Sequence, residues 1–414
     1  MSVLCYIYTN KKEIYIVNGI HSILELHQLA VKDAEKYPLH RFCFESILGD
    51  SGKHFLGITG LRGTGKSIIL KQLAVVKPKA IYISVDSIGE SDLFDMIKQL
   101  NQDYDISLFL LDEIHFFKNI DQVLKRVYDF LDVKIIFTSS VSLGMFKSAY
   151  DLSRRVKLVK IFSFSFREFL FFDKGVETER LSLEQIRNKE WLAVHLAYAY
   201  DLKKYFQGGN MPFSLDEPDI FPLLKNILQT IIRKDIPKIA SLNIEELDLI
   251  EKTVTFIGKS AVDVINYSTI SQNVGITKFK AQSYIDLLQK AFVLHRIFPA
   301  GTNVLKEPKI VLALPFRLLF KEYEECIGPL REDFFIEMLT AAQLEYSYLK
   351  STRGAKTPDY LIQDGDERIV VEVGGKGKGR EQFKGIKDKK QIIFTHSDRM
   401  DEIRRPLHLA GFLA

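Results

Sequence analysis

Short, wholly apolar runs alternate with stretches of helical periodicity through the first part of the chain. Ile23 to Tyr37 carries apolar residues at helical spacing and is closed by Pro38, which predicts a helical preamble. His54 to Thr59 predicts a strand ending in a glycine loop, and Ser67 to Val75 a helix. The same reading gives a strand at Lys79 to Val85, a helix at Leu93 to Leu100, and a strand at Ser107 to Leu111. A helix at Val123 to Phe130 and a strand at Val133 to Thr138 complete the series. Strands that are apolar on consecutive positions are buried on both faces, so the pattern predicts a parallel sheet covered by helices on each side.

After Phe172 the alternation stops. Trp191 to Tyr205 and Leu223 to Arg233 predict long helices. Between Ser260 and Pro299 the pattern is an apolar helix, a short helix entered through Asn266-Tyr267-Ser268, a turn at Gly275, a longer helix Lys278 to Ala291, and a strand-like end, Phe292 to Phe298. That order predicts a winged helix-turn-helix. From Arg331 the chain reads as a helix and then strands at Tyr346 to Lys350, Asp359 to Ile362 and Ile369 to Val373. The expected fold class is α/β, with a core over 1–172, a helical region over 173–259, a winged helix over 260–330 and a small α/β domain over 331–414.

Composition changes this picture little. The 414 residues exceed what one core organises, and 46% apolar with 27% charged residues is an ordinary globular mixture. A net charge of +4 does not by itself call for a polyanionic partner, so any basic surface must be local. Cys5, Cys43 and Cys326 are scattered without metal-ligand spacing and read as reduced thiols. No signal-peptide pattern and no spanning segment is visible, and Ile161 to Phe172 is broken by Ser163, Ser165, Arg167 and Glu168. A cytoplasmic protein without a membrane partner is expected.

The chemistry concentrates in two places. Gly60-Leu61-Arg62-Gly63-Thr64-Gly65-Lys66-Ser67 has full P-loop spacing between a predicted strand and a predicted helix. Glycines let successive N–H groups turn inward toward phosphate oxygens, and the following helix aims its positive end at the same charge. Residues Gly60 to Ile68 are therefore expected to bind nucleotide, with Lys66 reaching the β- and γ-phosphates and Ser67 ligating Mg2+. A glycine turn that binds nothing is the plainer reading, but few such turns carry Lys-Ser at this offset.

The second place is Asp112-Glu113, directly after the apolar run Leu108 to Leu111. Asp112 would hold Mg2+ through its waters, and Glu113 would polarise the attacking water. Capping of the next helix is the alternative. Thr138-Ser139-Ser140, at the end of another strand, could bond the γ-phosphate or that water, or be a serine-rich loop.

On these residues the chain resembles a family of AAA-type ATPases of archaea and bacteria. The resemblance covers the glycine loop, Leu110 to His115, Thr138, Leu152 to Val156, Phe164 to Phe169, the Gly208-Gly209 turn, the winged helix and the carboxy-terminal unit. It implies ATP and Mg2+ as ligands and homo-oligomers. It also implies an arginine finger at Arg155, with Arg154 where a glycine is usual; a surface ion pair is the alternative. Ser165, Arg167 and Glu168 match recurrent linker residues.

The last unit resembles the PD-(D/E)xK nuclease fold, with Glu332, Asp359 and Glu372 as its carboxylates. Gly374 stands where the lysine is usual, and Lys376 lies about 6 to 7 Å farther along an extended strand. A binding or scaffold role is preferred over cleavage. Lys278 and Lys280, at the start of the predicted recognition helix, are the candidate DNA contacts, with plain packing as the alternative, and the basic stretch Lys376, Lys378, Arg380, Lys384 and Lys387 could also touch a phosphate backbone or be a solvated loop. The readings that remain are an ATP-hydrolysing switch or motor, a DNA-binding regulator with ATP as conformational ligand, and an ATP-controlled nuclease.

Overall fold

The structure, a computed structural model, describes residues 19–88, 92–142, 152, 154–260, 264–301, 307–349, 357–375, 377, 379–384, 390–397 and 399–414. The chain divides into two compact units, one formed by Met1–Ile161 with Lys238–Ala240, the other by Phe162–Pro237 with Ser241–Ala414. Among the described residues no helix is long and apolar enough to cross a membrane.

The first unit is built on five strands: β1 (Phe55–Thr59), β2 (Ala80–Ser84), β3 (Leu108–Asp112), β4 (Lys134–Ser139) and β5 (Val156–Lys160). They lie in the order β2-β3-β4-β1-β5 and every neighbouring pair is parallel. Alternate side chains enter separate cores. Phe55, Ile81, Phe109, Leu111 and Phe137 join residues of the helices Leu93–Tyr104 and Ile120–Phe130 on one face. Leu56, Ile58, Tyr82, Leu110 and Ile136 meet Ile69, Leu70 and Leu73 of the helix Lys66–Val76 on the other. This two-sided burial is why the strands read as unbroken apolar runs.

The four expected strands are present with ends moved by a residue or two, but β5 was not expected. Its sequence Val-Lys-Leu-Val-Lys leaves Lys157, Leu158 and Lys160 exposed, as an edge strand paired on one side allows, so it lacks the apolar run that marks its neighbours.

In the second unit the expected long helix over Trp191 to Tyr205 is instead broken. Ala193–Ala197 and Asp201–Lys204 are short helices, and Tyr205–Gly209 is a widened turn ending the segment. The break falls at Tyr198, whose φ of −108° and ψ of 23° leave the helical region, and the turn that follows is tight because Gly208, with φ 115°, lies where a Cβ would stand 2.0 Å from the Ile220 side chain. Phe221–Thr230 continues through Ile231–Asp235 into Ile236–Ile239.

Ile244–Lys259 starts at a capping box made by Asn243 and Glu246. Tyr267–Val274 starts at a second, Asn266 with Thr269, and stops at Gly275, whose φ of 74° suits glycine. Lys278–Lys290 follows, capped by Thr277. Two antiparallel strands, β6 (Leu294–Ile297) and β7 (Lys309–Leu312), complete this part.

The helix Tyr323–Ala341 then packs on a second sheet: β8 (Glu345–Tyr348), β9 (Tyr360–Asp364), β10 (Glu367–Gly374), β11 (Gln391–Thr395) and β12 (Arg404–Pro406), in the order β12-β11-β10-β9-β8. Pairs β10-β11 and β11-β12 are parallel, and β8-β9 and β9-β10 antiparallel. Phe334, Phe335, Met338 and Leu339 of the helix share a core with Tyr360, Ile369, Val371 and Phe394 of the sheet. Two carboxylates of that helix are buried with partners: Asp333 with Arg317, and Glu337 with the Ser163 hydroxyl at 2.9 Å and His295 Nε2 at 3.0 Å.

Candidate nucleotide site

The glycine loop leaves the carboxyl end of β1 and opens the helix Lys66–Val76. Gly63 and Gly65 have φ of 86° and 85°, values that L side chains rarely adopt. Gly60 answers a different need: a Cβ there would lie 2.0 Å from the Ile161 carbonyl oxygen, so the loop start runs tightly against the chain leaving β5. Thr64 is fully buried and its hydroxyl donates to the Leu61 carbonyl at 2.8 Å, while Arg41 Nη1 donates to the Thr64 carbonyl at 2.8 Å. Lys66 is 5% exposed and its ammonium donates to the carbonyls of Gly60 and Leu61 at 2.9 and 2.8 Å. Ser67 and Ile68 are half-buried on the first turn of the helix.

Strand β4 lies between β1 and β3, and the register aligns their carboxyl ends: Thr59 sits opposite Ser139, and Leu111 opposite Phe137. The glycine loop and the acids of β3 therefore emerge on either side of the hydroxyls of β4. The Thr138 hydroxyl donates to Asp112 Oδ1 and accepts the Glu113 N–H at 2.9 Å. Asp112, 4% exposed, also accepts from the Tyr82 phenol at 2.7 Å, and burial followed by the Asp112 charge pushes that phenol far above its usual range.

Glu113 has φ 56° and ψ 45°, a left-handed conformation costing roughly 1–2 kcal/mol for a residue with a Cβ. The bond from its N–H to Thr138 holds it there. Its carboxylate lies 3.6 Å from Arg62 Nη1 of the glycine loop and 3.2 Å from His115 Nδ1. Glu113 stands at the N-cap position of a short turn, Ile114–Phe116, and its side chain makes no cap hydrogen bond there.

Residues 52–170 match the family described as an AAA domain, and residues 199–313 match a domain of unknown function, DUF8612. An uncharacterized protein of Methanocaldococcus jannaschii is 29% identical over 389 residues, which span 84% of this chain and 82% of that protein. Among solved structures, the RuvB Holliday junction branch migration motor of Thermotoga maritima is 14% identical with a TM-score of 0.27, over 62% of this chain and 90% of that one. PCH-2 of C. elegans is 15% identical with a TM-score of 0.24, over 64% and 68%. The glycine loop, Asp112, Glu113 and Thr138 all lie within the stretch that matches the AAA domain.

Within that domain Arg155 stands apart from the loop. It precedes β5, and its carbonyl accepts the N–H of Phe55, the first residue of β1. It is therefore at the far end of the sheet from the glycine loop, roughly 15 Å along an extended strand. Its guanidinium forks onto Asp129, with Nη2 at 2.9 and 3.0 Å from the two carboxylate oxygens.

Lys278 and Lys280 both lie at the start of the helix Lys278–Lys290, and both face carboxylates. Lys278 pairs with Glu307, which also accepts from the Ser268 N–H at 2.8 Å, and Lys280 lies 3.8 Å from Glu246. The two lysine side chains are 57% and 47% exposed.

Glu332, on the helix Tyr323–Ala341, is bound by Lys309 at 2.7 Å; Asp359, just before β9, accepts the Val373 N–H at 2.8 Å, and Glu372 is fully buried on β10. Lys376, Lys378 and Lys387 lie outside the described residues. Among the described residues no three His, Cys, Asp or Glu side chains are grouped so as to hold a metal ion. The ammonium beside these acids comes instead from Lys309 on β7, 7% exposed and seated 5.3 Å over the Tyr360 ring.

Burial, then the charges of Glu372 and Glu332, push the Asp359 carboxyl up to about 7. Its folded form keeps a proton that the unfolded chain releases above about 4, so this group stabilises the fold at acid pH and that contribution is lost as pH rises through about 7. Asp359→Asn is expected to leave the melting temperature of the second unit unchanged near pH 4 and to raise it at pH 8. A melt that drops equally at both values would remove this account.

Three residues at the candidate site were given no role by the sequence reading: Arg41, Tyr82 and His115. Arg41 and Tyr82 lie far from both motifs in sequence and carry no local signal. His115 did carry one, since it stands two positions after Glu113 and is the first polar residue beyond the acids.

Proposed function

We propose that this protein binds ATP with Mg2+ and hydrolyses it, using the cycle as a conformational switch or motor. The observation that carries the reading is the position of Thr138. One hydroxyl joins the carboxylate of Asp112 to the backbone of Glu113, on the strand that separates both acids from the glycine loop. In this assignment the loop amides from Gly60 to Ile68 cradle the phosphates, Lys66 neutralises the β- and γ-groups, and Thr138, whose hydrogen goes to Asp112, accepts from the attacking water. Glu113 takes the proton of that water.

The residues present suit Mg2+. Hard oxygen donors are what it takes, and Ser67 with Asp112 supply a hydroxyl and a carboxylate. Asp112 accepts two hydrogen bonds, which leaves lone pairs for waters around an ion. When bound, the ion offsets phosphate charge. Arg155, ion-paired at the other end of the sheet, fits a finger role only if a second copy delivers it, so that role requires a homo-oligomer.

We assign the three helices Ile244–Lys259, Tyr267–Val274 and Lys278–Lys290 with β6 and β7 as a winged helix used for packing. The ion pairs of Lys278 and Lys280 weigh against duplex DNA as its ligand. The second sheet is read as a nuclease-like scaffold that does not cleave, because Lys309 already neutralises Glu332.

Titration calorimetry tests the first step. Lys66→Ala is expected to weaken MgATP binding by about a hundredfold, the value of one or two charge-assisted bonds to phosphate. Equal affinity in parent and variant would end the assignment.

A further inference from the structure

Glu113 is held by more than its own strand. His115, in the turn Ile114–Phe116, has a fully buried side chain, and its two ring nitrogens face in different directions. Nδ1 lies 3.2 Å from Glu113 Oε2, whereas Nε2 lies 3.1 Å from the Ser140 hydroxyl. The Ser139 hydroxyl approaches Nδ1 at 3.5 Å and donates to the Val141 carbonyl at 2.9 Å. Ser139 and Ser140 are both fully buried. The Phe116 ring lies 4.3 Å from the imidazole, so the ring is fixed at its nitrogens and against one neighbour.

The chemistry follows from what each partner can offer. A carboxylate presents acceptors only, so the ring nitrogen that faces it is the one that carries hydrogen, and Nε2 is then free to accept from Ser140. Glu113 Oε2 is buried with the Nδ1–H 3.2 Å away but off the axis of a hydrogen bond, so the imidazole holds the oxygen by proximity and leaves its lone pairs unused. A base needs this combination: an orientation fixed by a neighbouring donor, and a lone pair left for the proton of water.

We propose that His115 is the positioning residue of the hydrolytic site. Anchored by the serines that end β4, it directs the Glu113 carboxylate toward the attacking water. The inference rests on Glu113 being the base, and it adds that β4 governs both acids: Asp112 directly through Thr138, and Glu113 through the imidazole as well as through its own N–H. The serine strand end thereby becomes part of the catalytic apparatus without touching substrate.

Amide replacements separate this role from simple packing. The side-chain nitrogen of Asn falls near the position of Nδ1, and that of Gln near Nε2. Purified full-length His115→Asn, His115→Gln and His115→Ala are compared by steady-state phosphate release from MgATP, with thermal melting as the check of folding. His115→Asn is expected to keep kcat within about threefold of the parent. His115→Gln and His115→Ala are expected to lose about ten- to a hundredfold in kcat with KM unchanged, a fraction of the 10²–10⁴-fold that a general base supplies.

Equal rates for the Asn and Gln variants, or a loss confined to KM, would overturn the proposal. Glu113→Gln, assayed alongside, keeps the two readings apart. If it retains full rate, the base assignment itself is wrong; if it is inactive while all three His115 variants run at the parental rate, only the positioning role fails. In the double variant Glu113→Gln, His115→Ala, the second change is expected to add no further loss.

Discussion

Glu113→Gln is expected to lower phosphate release from MgATP by about 10²- to 10⁴-fold and to leave nucleotide affinity within about threefold, because in the proposed site it removes a proton acceptor and no phosphate ligand. The substitution is nearly isosteric, so the contacts that surround the side chain supply the argument. Glu113 Oε1 faces Arg62 of the glycine loop and Oε2 faces His115, and its backbone is fixed by the bond to Thr138. The amide of Gln occupies the same space between the same neighbours, yet it cannot take a proton near neutral pH. Stopped-rate assays of phosphate release with calorimetry on the same preparations check both halves. A variant that hydrolyses ATP at the parental rate would move the base elsewhere, and a variant that no longer binds nucleotide would make Glu113 a structural residue of the loop.

The second large effect concerns stability. Arg317→Met is expected to destabilise the second unit by about 3–5 kcal/mol, the range for stripping one partner from a buried ion pair. Arg317 Nε and Nη2 fork onto Asp333 at 2.6 and 2.9 Å, and Nη1 donates to the Ile257 carbonyl at 3.1 Å, so one guanidinium joins the helix Tyr323–Ala341 to the end of Ile244–Lys259. The two side chains are 4% and 1% exposed. Burial pushes the Asp333 carboxyl up and Arg317 opposes that push, so removing the arginine leaves a carboxyl that has to protonate in the fold. Replacing both residues, Arg317→Met with Asp333→Leu, is expected to recover most of the loss, since no charge is then left buried alone. Denaturant unfolding of the single and double variants measures both. If the double variant is as unstable as the single one, packing around Arg317 matters and its charge does not.

Much of the first unit was legible because its signals are local. β1 to β4 are buried on both faces, and burial on both faces writes itself as consecutive apolar residues such as Phe109-Leu110-Leu111. The loop announced itself through Gly63, Gly65 and Lys66, whose backbone and charge requirements are set within a few residues. β5 was not legible, because an edge strand with lysines outward has no pattern that distinguishes it from a loop. The broken segment after Trp191 misled for the opposite reason. Its residues have helical periodicity, yet the chain leaves helical geometry at Tyr198, a break that periodicity does not register.

The sequence by itself determined the phosphate loop, the acidic strand end and the alternation that makes a parallel sheet, because each depends on residues adjacent in the chain. Tertiary structure decided what those residues meet. The order β2-β3-β4-β1-β5 inserts Thr138 between the loop and the acids and closes Ser140 onto His115, and the parallel pairing of β5 with β1 leaves Arg155 at the other end of the sheet. Strand order is a long-range choice, made by which faces bury one another, and no run of neighbouring residues encodes it.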